Sequence, residues 1–323
     1  MNITTPAAPA VQSACLGNEL LALAQDSASR KLITPERAEI ACMEYRVGLV
    51  SDAGLRDKLN ALLADGPAPS MALDAISIAF KPGDVIELRA LDPAGGRGVS
   101  LSGALDNPTQ RAALEAFIRE HNGKRNLYAG INPRRADLAG SSRPGKAADV
   151  VARRAVVIDL DRKDAPPTDT DWTRTVSALS VGLDPMLIVD SGNGYHVWLP
   201  IQDLSAADVL SSAGPLGASM SRLGADNMAD PARIARLPFT VNVPNATKRE
   251  RGAVLRMAAP EPEWQLKRNA RQGELRTAAD VCAALDGIAG QLGLPGKGRA
   301  AADQAAPSVA LPTGETMAHH TTT

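Results

Sequence analysis

The chain has 323 residues, enough for one large or two modest domains with a full hydrophobic core, and 35 Lys and Arg against 36 Asp and Glu leave it near neutral. Hydrophobic residues make up 44% and charged residues 22%, a globular composition that excludes a disordered or uniformly basic chain. Three scattered cysteines exclude a disulfide framework and a Cys-x-x-Cys zinc site, and no apolar run approaches the ~20 residues of a bilayer span, so the reading is a cytoplasmic protein with no membrane partner.

In chain order, Leu20, Leu21, Leu23 and Ala24, then Ala38, Ile40 and Ala41, then Leu55, Leu59, Leu62 and Leu63 recur at helical spacing. They predict a helical N-terminal region, residues 1–77, with starts at Thr34-Pro35-Glu36 and Ser51-Asp52 and a break at Gly66-Pro67-Ala68-Pro69. From Lys81 the period changes. Asp84 to Leu91 alternates as a half-buried strand, Pro108 to Glu120 reads as a helix, and Asn126 to Ile131 reads as a second strand. Ala155 to Asp161 is a third strand, and Met186–Val189 with Tyr195–Leu199 form a hairpin around Ser191-Gly192-Asn193-Gly194. Helices are expected near Trp172–Leu179 and Ser205–Leu223. The sum is an α+β fold with a mixed sheet over residues 78–258. Residues 259–323 are read as one short helix, Ala278 to Leu292, and an Ala/Pro/Thr-rich disordered tail.

Four constellations carry chemistry. On a strand, Asp159 and Asp161 project to one face while Ile158 and Leu160 enter the other, which suits either a cation between the carboxylates or an exposed strand end before a loop. In Asp190 to Trp198, Gly192 and Gly194 let backbone N–H groups approach a phosphate, with Ser191 and His196 as further donors, or else they serve a tight hairpin beside a half-buried histidine. In the third, Asp226 and Asp230 precede a helix-like stretch in which Arg233 and Arg236, three apart, share one face; an ordinary surface helix with internal ion pairs is the alternative. Finally, residues 119–154 hold nine basic against three acidic residues, suited to a polyanion or to a solvated loop.

In this order the residues resemble the archaeo-eukaryotic primase superfamily, in particular its RepB-like plasmid and phage primase and primase-polymerase branch. The matching segments are Glu87 to Leu91, Asn126 to Arg135, Ile158-Asp159-Leu160-Asp161, Ser191 to Trp198, and Gly224-Ala225-Asp226 through Arg233 to Pro238. The resemblance implies an RRM-like catalytic core with an accompanying α/β unit. It makes Asp159 and Asp161 metal ligands, with Asp226 as the third ligand and Asp230 as its competitor. Ser191, Gly192, Asn193 and His196 become the nucleotide triphosphate site. Arg134, Arg135, Arg233 and Arg236, with Lys146 and Lys248, become phosphate contacts. The family has Gly where this chain has Phe239, a departure that falls on a local turn.

The function so implied is a DNA primase, a template-dependent nucleotidyltransferase making short primers for plasmid or phage replication with Mg²⁺ or Mn²⁺, single-stranded DNA and nucleoside triphosphates. No Gly-x4-Gly-Lys-Ser/Thr loop occurs, so a separate replicative helicase is the expected partner. A metal-dependent nuclease or relaxase is a second class, although the His-x-His pair of a relaxase is missing from the sequence. A non-catalytic DNA-binding replication accessory is a third.

Overall fold

The computed structural model describes residues 9–161, 169–192, 194–261 and 275–294. Four helices come first: α1 (Pro9–Ser29), α2 (Pro35–Arg46), α3 (Asp52–Asp65) and α4 (Ala68–Ser77). Thr34 and Ser51 accept from Arg37 N–H and Gly54 N–H and so cap α2 and α3 at the predicted starts. The Pro67–Pro69 segment begins α4 and is not a lasting break, because proline lacks only an N–H that the first helical turn leaves unused.

Next come β1 (Val85–Leu91), β2 (Val99–Ala104), α5 (Pro108–His121, capped by Asn107) and β3 (Asn126–Gly130). They are followed by β4 (Ala152–Asp161), α6 (Asp169–Leu183), β5 (Leu187–Asp190), β6 (Gly194–Ser205) and α7 (Ala206–Arg222). The chain continues through β7 (Ile234–Arg236), β8 (Thr240–Asn242), α8 (Ala246–Glu250) and β9 (Arg256–Pro260). Beyond the segment 262–274 the last described helix, α9, spans Ala278–Leu292 with a Thr277–Asp280 capping box. The tail assigned to residues 298–323 lies outside the described residues.

The architecture is α+β, with two sheets ordered β2-β1-β3-β7 and β4-β6-β5-β9-β8. Every described strand pairing in them is antiparallel, which corrects the expectation of a mixed sheet. The hairpin is confirmed, with Asp190 opposite Tyr195. The stretch from Arg233 to Arg236 is a correction too: Ile234 to Arg236 run as strand β7, paired with β3 through Ala129 opposite Ala235, where the sequence suggested a helix. A three-residue spacing fits a helical face, but along a strand it places two residues on opposite sides, and the edge of β3 supplies the hydrogen bonds that fix the extended form.

Ala155 to Ile158 in β4 are fully buried, and α7 packs on both β4 and β6. One contiguous core joins Leu20, Leu55 and Leu73 of the N-terminal helices to Leu88 in the first sheet and Val157 and Trp198 in the second. After that buried run, burial lifts at the end of β4, where Asp159 and Asp161 are partly exposed. No helix among the described residues is long and apolar enough to cross a membrane.

Candidate active site

The acidic end of β4 lies opposite the start of β6, with Asp159 facing His196 and Asp161 facing Gly194 in the ladder. Directly opposed residues of an antiparallel pair share a face, so His196 joins the two carboxylates. Its Nε2 lies 3.5 Å from Asp159 Oδ1. Its Nδ1 accepts a hydrogen bond from the Arg236 backbone N–H at 3.1 Å, which places the proton of the neutral ring on Nε2, toward the acids.

Asp226, on the loop between α7 and β7, joins from a distant part of the sequence. Its backbone N–H donates to the Asp159 carbonyl at 2.8 Å, an isolated antiparallel bridge between the two aspartates. Asp230, the competing third acid, is exposed and accepts the Ala232 N–H at 2.8 Å, four residues beyond that bridge. The fold therefore gathers Asp159, Asp161, Asp226 and His196 at one sheet edge.

Among the described residues, no three His, Cys, Asp or Glu side chains already converge as an ion cage. The donor set nevertheless fits a hard divalent cation: Mg²⁺ characteristically takes one or two carboxylates and completes its shell with water and substrate phosphate.

Ser191 is buried and its hydroxyl donates to the Gly194 carbonyl at 3.0 Å, closing the hairpin. Gly192 has φ +85°, the left-handed region that favours glycine, and its N–H donates to Asp190 Oδ1 at 2.7 Å. A Cβ on Gly194 would fall 2.0 Å from the Leu160 carbonyl, so glycine there is what lets β6 close on β4. Both glycines thus have a structural use in the turn beside the site. Asn193 lies outside the described residues.

The arginines separate into different roles. Arg236 is 4% exposed; its guanidinium donates to Asn126 Oδ1, the Tyr128 hydroxyl and Asn242 Oδ1 at 2.8–3.0 Å. Burial pulls its pKa down, while Tyr128, Asp159 and Asp161 push it back up. Beside the acids, it ties β7 to β3 and β8. Arg134 does not join them. It is buried with Glu87 of β1, pairing at 2.8 Å, and also donates to the Asn132 carbonyl. Glu87 further accepts from Arg89 Nε at 2.6 Å and Gly145 N–H at 2.9 Å, so this node is an interior crosslink with no open phosphate face.

Arg233 is exposed just before β7, and Arg135 is exposed but paired with Asp137 at 2.6 Å. Much of the basic excess in 119–154 is similarly engaged: Arg143 binds Asp149, and Arg154 binds Asp84 and Asp203. Within the stretch Arg134 and Arg153 are buried and Arg154 is largely so, while Arg119, Lys124, Arg135, Arg143 and Lys146 are exposed. Lys146 and Lys248 are exposed.

Two further positions stand out, Phe239, marked in the sequence as a departure from the family's Gly, and Arg153, which escaped the sequence reading. Phe239, buried between β7 and β8, has φ +58°, so the position carries a left-handed backbone despite its bulky side chain. Arg153, counted only as one more surface base, is completely buried.

No protein-family model matches the chain, and no curated protein matches it. Two solved structures are similar to it, both of primase RepB′. The crystal structure of that primase aligns with 18% identity and a TM-score of 0.38 over 68% of this chain, which spans 62% of the length of the primase chain. Its catalytic domain in complex with initiator DNA aligns with 18% identity and a TM-score of 0.38 over 73% of this chain and 99% of that domain.

Proposed function

We propose that the protein is a DNA primase, a nucleotidyltransferase that joins nucleoside triphosphates on a single-stranded DNA template. The observation that carries the reading is the bridge from Asp226 N–H to the Asp159 carbonyl, which sets the backbone of a third aspartate beside the strand that carries Asp159 and Asp161 and faces His196. In this reading Asp159, Asp161 and Asp226 hold Mg²⁺ or Mn²⁺. Such ions promote ionisation of the attacking hydroxyl and stabilise the pyrophosphate that leaves as its bond to the α-phosphorus breaks.

The chain's own groups do the rest. His196 Nε2–H, oriented by the Arg236 backbone, donates to a triphosphate oxygen. Ser191 and Gly192 shape the turn beneath that triphosphate, and Asn193, next in the sequence, belongs to the same nucleotide site. Arg233 and Arg135, at the surface, meet template or nucleotide phosphates, and Arg236 keeps β7 in register with the acids. The catalytic unit spans residues 78–258 around an RRM-like core, the helices of 1–77 precede it, and a separate helicase of the same plasmid or phage replicon supplies unwinding.

The test is incorporation of labelled nucleotides on single-stranded DNA with Mg²⁺ or Mn²⁺, comparing the natural chain with a folded Asp159→Ala, Asp161→Ala double variant. New products that vanish in the variant support a primase. Extension of pre-existing ends alone makes the protein a polymerase that needs help to start. No synthesis, with equal DNA binding by both proteins, overturns the catalytic reading in favour of an accessory role.

A further inference from the structure

Arg153 stands just before Arg154 in β4, ahead of a register shift in the β4–β6 ladder. It is 0% exposed, and the one hydrogen bond its guanidinium makes among the described residues, 2.5 Å from Nη2, is to the Ala229 carbonyl. Its Nε and Nη1 are buried without a hydrogen-bond partner. Burial lowers its pKa to about 10, opposed only by the exposed Asp230. A buried guanidinium satisfied through a single nitrogen is a poor device for stability, because each unmatched donor gives up its hydration without return. An apolar side chain of the same length would avoid that loss.

What Arg153 does hold is the loop from Asp226 to Arg233. Across that loop Asn132 Nδ2 donates to the Pro231 carbonyl at 3.0 Å, and Ile131 N–H donates to the Arg233 carbonyl at 3.1 Å. These two anchors come from the chain just after β3 and grip the half of the loop that leads into β7. Arg153 comes from the second sheet and grips the half that carries Asp226. The loop is therefore clamped between the sheets, and the clamp nearest Asp226 belongs to the strand that bears Asp159.

We infer that Arg153 is a positioning residue: through the Ala229 carbonyl it fixes the loop so that Asp226 stays bridged to Asp159. This rests on the proposed function for its consequence, since a fixed Asp226 is what a cation held with Asp159 and Asp161 requires. Arg153 itself touches neither substrate nor ion.

The experiment measures amide hydrogen exchange and thermal melting in the full chain, alongside Mn²⁺ binding followed by electron paramagnetic resonance. In Arg153→Met, exchange of the Asp226 amide is expected to accelerate at least tenfold while the melting temperature holds or rises, and Mn²⁺ binding is expected to weaken three- to tenfold. Arg153→Lys, which restores one donor for the Ala229 carbonyl, is expected to return the Asp226 exchange rate most of the way. If Arg153→Met does not fold, Arg153→Gln takes its place, with the same local acceleration expected.

Unchanged exchange at Asp226 in a folded variant overturns the inference. So does acceleration spread evenly over the chain with a falling melting temperature, which is the signature of a general structural role. Mn²⁺ binding unmoved by Asp226→Asn, together with local acceleration in Arg153→Met, refutes the metal role of Asp226 but leaves the hold of Arg153 on the loop established.

Discussion

The first sheet encloses its charge at Glu87 and the second gathers charge at Asp159, and the two solutions differ in kind. Glu87 is fully buried and its oxygens are met by Arg134, Arg89 and Gly145 N–H, so its charge is consumed inside the fold. Asp159 and Asp161 sit where burial ends, close to Asp226, and the nearby Arg236 directs its hydrogen bonds to Asn126, Tyr128 and Asn242. A charge matched from all sides fixes the shape of the molecule. Asp159 and Asp161 instead lie at the partly exposed end of their strand, facing His196 and Gly194 across the ladder.

That contrast can be broken by exchanging consequences between the sheets. Asp159→Asn or Asp161→Asn is expected to lower nucleotide incorporation about 1,000-fold or more, near 4 kcal/mol of barrier, with little change in a urea unfolding midpoint. Glu87→Gln is expected to do the reverse. Stranding buried Arg134 costs about 3–5 kcal/mol in the same urea titration, while Mn²⁺ affinity of the folded fraction is unchanged. A Glu87 variant of full stability with selectively lost metal binding would remove the distinction.

Smaller changes sharpen it. Gly194→Ala forces a Cβ onto the Leu160 carbonyl; separating β4 from β6 there is expected to cost about 1–3 kcal/mol and to lower incorporation as well, because the displaced strands carry Asp161 and His196. The smallest effect belongs to Asp149. The Arg143 guanidinium and the Lys146 N–H hold its carboxyl well below the usual carboxylate range. A depressed folded pKa adds stability above the unfolded value of about 3.9, and the gain is lost as pH falls through the lower folded value. Unfolding free energies of the natural chain and Asp149→Asn are therefore expected to differ only slightly at pH 7, because Arg143 lies largely in water, and to converge as pH falls toward about 2.

The sequence made the acidic strand and its hairpin legible because alternation of Ile158 and Leu160 with Asp159 and Asp161 has a single extended reading, and a Ser-Gly-x-Gly turn suits antiparallel strands. β2, β8 and β9 were not legible. They are short, carry Ser, Gly, Pro or Asn, and owe their form to neighbouring strands more than to their own pattern. The fate of the arginines was equally hidden: Arg134 meets a glutamate 47 residues away, and a wholly buried Arg153 is written in the same letter as a solvated one. Among the four gathered residues, Asp226 lies 65 residues beyond Asp161, and only the folded loop brings them together.

The turn at Phe239 bears on how the two sheets are joined. β7 belongs to the first sheet and β8 to the second, and Leu237-Pro238-Phe239 is all the chain between them. Pro238 has its φ locked, Phe239 is held in a left-handed well, and Arg236 and Asn242 are hydrogen-bonded across the span at 3.0 Å. A tether this short and this stiff, backed by the Asn122–Val241 and Asn126–Val243 hydrogen bonds, holds the end of β8 against the first sheet. The joint between the two sheets thus lies next to the Arg236 backbone N–H that orients His196, so the ring's orientation is set where the sheets are fastened together.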